Sequence, residues 1–303
     1  MSVPTANMRA VLERLVQEDA GLCDPTLMPP QHARALAELT NQRWNADLPE
    51  MAEARTMMCA GMPARWVVPE NDTGTEAILH VHGGGWALCS PMTHEGASRR
   101  IADACGCPVL TVDYRLAPEH PYPAGLSDVL RSWRARDTAR RWSIAGDSAG
   151  ANLALAAMLH LIDEGAEMPA SALLFYGVYG ADFESESYVR NADGPGLTRA
   201  KMMRYWDWYA PESKRSGPTV APLAASDAQL AALPALYLNA AELDPLLSDT
   251  EALIARLRGL GRDDAYDLFE GVVHGFMQMG SVLPEARDAF TRAGGAFRRM
   301  AAP

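Results

Sequence analysis

The pentapeptide Gly146-Asp-Ser148-Ala-Gly150 constrains this 303-residue chain more than any other stretch. It lies between an apolar run that starts at Trp142 and a long apolar segment from 149 to about 163. That context reads as a tight turn joining a strand to a helix. A serine in such a turn sits on a strained backbone, and only very small neighbours clear the crossing. Gly146 and Gly150 supply that room. A Ser hydroxyl is a weak nucleophile that must meet both a base and an electrophilic carbonyl, and the exposed turn allows it. Ser148 is therefore the candidate nucleophile, and the rest of the chain must provide its partners.

The surrounding texture alternates apolar runs with helical patterns. Strands are expected at 55–60, 65–68, 77–82, 109–113, 142–146, 172–176, 235–239 and 266–269. Helices are expected at 93–105, 126–135, 149–163, 249–260 and 285–299. Strands and helices of these lengths in alternation imply an α/β domain, with a mostly parallel sheet covered on both faces. Two stretches do not fit that layer. Residues 1–50 read as two helices separated by Gly21–Pro25 and Pro29-Pro30, and 180–223 loses its strands and becomes aromatic and polar. A gap of that length is normally functional. The expectation is a core at 51–179 and 224–303, with 1–50 and 180–223 together forming a helical cap.

A second motif, His82-Gly-Gly-Gly-Trp86, follows the strand at 77–82. Successive glycines leave backbone N–H groups free to converge on a developing oxyanion, and Ala149, next to the nucleophile, adds another. The base is reached by elimination. Around an elbow of this kind the acid and then the histidine follow the serine in sequence, which leaves His160 and His274 of the seven histidines. His160 lies about 18 Å along the helix that begins at the serine, too far for a hydrogen bond. His274, in a loop after the last strand, remains. The acid is expected after the preceding strand, where Asp244, fixed by Pro245, is preferred to Glu242. Asp249 is assigned to the first turn of the next helix, where its charge suits the N-terminus. His80-x-His82 lacks the further ligands of a metal site, so no metal is expected.

Taken together, these segments resemble the hormone-sensitive-lipase-like branch of bacterial carboxylesterases. The matching stretches are His82–Trp86, 113–124, Gly146–Asn152 and Glu242–Leu246, with His274-Gly-Phe276 closing the series in the same order. The resemblance implies an α/β-hydrolase fold and a catalytic set of Ser148, His274 and Asp244. It also implies an oxyanion hole from the N–H groups of Gly83, Gly84 and Ala149, with no cofactor. Trp86, Trp206, Tyr205 and Trp44 are candidates for the wall of a substrate pocket. The family frequently places a basic and then an acidic residue after Asp-Pro-Leu, where this chain has Leu247-Ser248-Asp249. Asp113–Arg115 and Glu119-His120 are read as a structural turn, and Asp147 as an anchor of the elbow.

Composition narrows the partners. With 27 basic against 38 acidic residues the net charge is −11, and no basic patch offsets it, so nucleic acid is not expected. The N-terminal sequence has no leader pattern, and no apolar stretch approaches the length of a membrane span. Cys23, Cys59, Cys89, Cys105 and Cys107 are scattered and odd in number, which suits reduced thiols and a cytoplasmic protein. The expected activity is hydrolysis of short-chain acyl esters of small alcohols or phenols through an acyl-enzyme. Lactones, amides and thioesters are alternatives on the same machinery, and a homodimer is in keeping with the family. A ligand-binding protein on the same scaffold is the rival from another class, although such proteins usually lose a triad member. A serine peptidase would need room for a further domain.

Overall fold

The computed structural model describes residues 3–301. Met1 and Ser2, where the segment read for a leader begins, and Ala302 and Pro303 lie outside it. The chain opens with α1 (Ala6–Glu18) and α2 (Pro30–Asn41), then forms a hairpin of β1 (Met51–Cys59) and β2 (Met62–Pro69). Next come β3 (Glu76–Val81), α3 (Glu95–Cys105), β4 (Val109–Val112), α4 (Ala124–Arg134), β5 (Arg141–Asp147), α5 (Ala149–Glu164) and β6 (Ser171–Phe175). After β6 the short α6 (Glu186–Arg190) and α7 (Arg199–Tyr209) intervene. The sheet then resumes through α8 (Asp227–Ala231), β7 (Ala235–Leu243), α9 (Leu247–Gly259), β8 (Ala265–Val273) and α10 (Pro284–Ala301).

The eight strands form one sheet in the order β1-β2-β4-β3-β5-β6-β7-β8. β2 runs antiparallel to both β1 and β4, and every other pairing is parallel. The central strands are apolar along almost their whole length and buried throughout, as strands covered on both faces must be. One face packs on α4, α5 and α9 through residues such as Leu130, Leu153 and Leu253. The other packs on α3 and α10 through Ile101, Phe290 and Phe297. The helix that follows Ser148 is apolar on nearly every side, because it lies between the sheet and its neighbouring helices.

The two stretches set apart as a cap divide differently. α1 begins against the core: Thr5 N–H donates to Gly271 O at 3.0 Å, its hydroxyl donates to Glu285, and Met8 is fully buried. The segment 24–41 instead meets the insertion, where Arg204 of α7 donates to Thr26 Oγ1 at 2.7 Å and pairs with Asp24 at 3.0 Å. Arg34 of α2 reaches back to the sheet side, donating to the carbonyls of Ala87 and Ala117 and pairing with Glu119.

Candidate active site

The elbow takes the geometry that its sequence requires. Ser148 adopts φ 56° and ψ −121°, a conformation that non-glycine residues avoid and that persists only when the surroundings impose it. Those surroundings are close backbone crossings: a Cβ on Gly150 would run into the Val81 carbonyl, and one on Gly146 into that of Gly150. The Ser148 N–H donates to Phe175 O at 2.9 Å, which ties the turn to the end of β6.

At the carboxyl ends of β7 and β8 the chain supplies two more side chains. His274 Nε2 lies 3.0 Å from Ser148 Oγ, and His274 Nδ1 lies 2.6 Å from Asp244 Oδ2. Asp244 is 1% exposed, and its second oxygen accepts the Leu246 N–H at 2.9 Å. The Tyr176 ring stands edge-on to His274 with centroids 5.1 Å apart. His274 is thus held by a carboxylate on one side and a ring on the other. Glu242, the alternative acid, points elsewhere and accepts the Gly271 N–H at 2.8 Å, bracing the irregular end of β8.

Asp147 does more than anchor the elbow. Its Oδ1 accepts the Gly83 N–H at 3.0 Å, and its Oδ2 accepts from His94 Nε2 at 3.3 Å, with His80 Nε2 3.6 Å away. Burial would raise this carboxyl, but attraction to His94, the His94 hydrogen bond and the nearby His80 ring more than offset it, so it stays far below the usual range. His82 is pushed down to about 3, chiefly by burial, and stacks on Tyr114 at 4.4 Å. These side chains fasten the glycine run to the nucleophile.

The same contact occupies one of the amides expected in the oxyanion set. The Gly83 N–H is spent on Asp147, whereas the amides of Gly84, Gly85 and Ala149 have no acceptor among the described residues, and all three line the space beside Ser148. The free amide is thus that of Gly85, where the sequence had pointed to Gly83. Gly85 must itself be glycine, since a Cβ there would strike the Tyr205 ring.

A serine 8% exposed, a histidine, a carboxylate and free amides converge on one point, and chains of known function share the fold that holds them. Residues 78–278 match the family described as the alpha/beta hydrolase fold. Carboxylesterase NlhH of Mycobacterium tuberculosis is 35% identical over 271 residues, covering 83% of this chain and 84% of its own length. Esterase LipI of the same species is 34% identical over 224 residues, with 71% and 70% covered. Among solved structures, a hyperthermophilic esterase from the archaeon Pyrobaculum calidifontis superposes with a TM-score of 0.90 at 28% identity, covering 99% of both chains. An esterase of the bacterial hormone-sensitive lipase family superposes at 0.87 with 27% identity, covering 99% and 100%. The chain belongs to the hormone-sensitive-lipase-like carboxylesterases.

The esterase keeps a chamber of about 160 Å³ at Ser148, walled by Tyr205 and also by Val178, Leu197, Met202 and Gln278. Of the four aromatic residues expected there, only Tyr205 takes part. Trp86 turns inward at φ 58°, stacks on Tyr209 at 4.2 Å and donates to Asn152 Oδ1 at 3.3 Å. Trp206 is fully buried against it, so both rings form the floor beneath the glycine loop. Trp44 lies with Met8 and Val11 in the core on the α3 side, between Arg14 and Arg43.

Sequence reasoning did not single out Tyr176, the first residue past β6, although its place at the carboxyl edge beside the elbow was a usable signal. Asn191, which donates to Asp244 O at 3.0 Å, left no such signal. Asp249 does fall in the first turn of α9, but its Oδ2 reaches across to accept the N–H groups of Tyr179 and Gly180 at 2.7 and 2.8 Å. Burial raises its carboxyl to about 7 despite those bonds. It pins the point where the insertion leaves the sheet. The 113–120 segment is a braced turn, as read: Arg115 pairs with fully buried Asp128 at 2.8 Å.

Proposed function

We propose that this carboxylesterase works by acyl transfer through Ser148, with His274 as base, Asp244 as the acid that orients it, and the amides of Gly84, Gly85 and Ala149 as the oxyanion hole. The observation that carries the reading is the unbroken hydrogen-bond path from Ser148 Oγ through His274 to Asp244, at 3.0 and 2.6 Å. His274 Nε2 removes the hydroxyl proton as Oγ attacks the ester carbonyl carbon, and the carbonyl oxygen gains its charge among the three amides. Asp244 holds the imidazole with Nε2 toward the serine and stabilises the imidazolium. The carbon–oxygen bond to the alcohol then breaks, and His274 returns its proton to the leaving oxygen. Water repeats the cycle on the acyl-enzyme and releases the acid.

The narrow chamber at Ser148 supports esters of small alcohols or phenols. A complete triad favours turnover over mere ligand retention. Segments 24–41 and 180–223 serve as the cap, a role that the Arg204 contacts support. Five free cysteines suit a reducing, cytoplasmic setting. Treatment with an aryl phosphonate ester, followed by mass spectrometry, tests the nucleophile. One adduct on the peptide containing Ser148, absent in Ser148→Ala, is expected; an adduct elsewhere overturns the assignment.

A further inference from the structure

Most arginines of this acidic chain are ion-paired. Among the described residues Arg9, Arg100, Arg258, Arg287, Arg298 and Arg299 have no carboxylate partner. Three of them, Arg100, Arg287 and Arg298, line a single cleft of about 470 Å³ between α3 and α10. The cleft shares no residue with the chamber at Ser148, and its volume is that of an ordinary small-molecule site. Its shape follows from how the two helices meet. Residues 287, 291, 294 and 298 recur along one face of α10, and Gly294 lets that face approach α3, since a Cβ there would strike the Ala104 carbonyl. Backbone carbonyls hold the three guanidinium groups at the cleft. Arg100 donates to Gly96 O and Asp47 O at 3.0 Å each, Arg287 to Gly280 O at 3.1 Å, and Arg298 to Ala104 O at 2.5 Å. An arginine carries five N–H donors, so each keeps several for a ligand. Asp47 and Asp103 also line the cleft, but both are exposed and neither pairs with a guanidinium. The lining charge is thus 3 − 2 = +1 on a chain of −11.

Arg100 is half-buried beside Arg287. Burial lowers its pKa, Asp47 opposes that, and the charge of Arg287 lowers it further. Two like charges held together in a partly dehydrated place are relieved by an anion between them, and a dianion relieves them most. The guanidinium fork also matches the spacing of phosphate oxygens. Next to the arginines the wall is apolar, formed by Leu48, Pro49, Ala104 and Phe290, which suits an organic group rather than a bare ion. We propose that this cleft binds a small organic phosphate monoester. The phosphoryl group lies on Arg100 and Arg287, and the organic part runs along Leu48 and Phe290 toward Arg298. The site is separate from ester hydrolysis and does not depend on which residue is the nucleophile.

Phenyl phosphate is the probe, titrated calorimetrically into the full-length protein at low ionic strength and pH 8, where it is a dianion. One site with a Kd below about 1 mM is expected, at least about tenfold tighter than for inorganic phosphate or benzoate. Arg287→Gln combined with Arg298→Gln should weaken binding at least about tenfold, through the loss of charge-assisted hydrogen bonds. Both side chains are exposed, so the circular-dichroism melt of this variant should match that of the wild type. Thr291→Glu, which sets a carboxylate among the guanidinium groups, should weaken binding likewise and provides an independent reading if the double variant fails to fold. An affinity that neither variant moves overturns the proposal, as does the absence of binding at about 10 mM probe. Binding that disappears when Ser148 carries an aryl phosphonate also overturns it, because the probe would then occupy the catalytic chamber. Inorganic phosphate bound as tightly as the phenyl ester would show that the apolar wall takes no part, and benzoate bound as tightly would make this a carboxylate site; either result overturns the assignment.

Discussion

Asp147 shows how one side chain can set the geometry of two motifs. It adjoins Ser148, yet its carboxylate fastens Gly83 and so sets the direction of the amides that follow, proposed above to hold the oxyanion. Asp147→Asn keeps an acceptor for Gly83 but loses the attraction to His94. A stabiliser of the oxyanion loop acts mainly in the transition state, so kcat should fall about ten- to a hundredfold with KM little changed. Steady-state kinetics on p-nitrophenyl butyrate check this, and a rise in KM at constant kcat would point to substrate binding instead. At this scale the sequence was legible where chemistry demands a residue type at a fixed spacing, as for Ser148, Asp244 and His274. It was not legible where the question was which of three equivalent glycine amides is already occupied. That depends on a contact spanning 64 residues. The tryptophans misled for a related reason: a large apolar ring fits a pocket wall and a core equally well, and only packing decides.

Among the elements, strand and helix identities followed from periodicity, but several strands run further than their apolar signal. β7 continues to Leu243, past the polar Asn239, because the Asn239 side chain accepts the Tyr176 N–H at 3.1 Å and so costs nothing to bury. β8 likewise runs through Glu270-Gly271 to Val273, carried by a shift in register opposite β7. The insertion was legible as a gap, whereas its attachment was not. Asp249 of α9 supplies that attachment, and it carries a pH signature. Its carboxyl sits at about 7 in the folded chain, against about 3.9 when unfolded. The unfolded form therefore loses its proton first, and stability drains away as pH rises from about 4 to 7. Asp249→Asn should lack this component, so its unfolding midpoint should gain on the wild type as pH rises through that window. A constant difference between the two proteins would contradict the assignment.

The molecule as a whole places its chemistry at one edge of the sheet. Ser148 follows β5, Asp244 β7 and His274 β8, and the glycine run follows β3, so four strands of one sheet deliver one site. Beneath that edge, His82 is buried with its pKa lowered to about 3, and that of His80 is lowered too. Here the linkage has the opposite sign. A histidine depressed in the folded state stabilises the protein above its unfolded value near 6.5, and that stability is lost as pH falls toward 3. Denaturation midpoints between pH 6.5 and 4 should drop more steeply for the wild type than for His82→Gln; parallel slopes would show that His82 is not the source. The measurement that bears most directly on the function is hydrolysis of p-nitrophenyl butyrate by the wild type beside Ser148→Ala. Turnover by the wild type is expected, with a loss on the order of a millionfold in the variant, because a triad acts as a unit. Turnover that survives the substitution would contradict the triad.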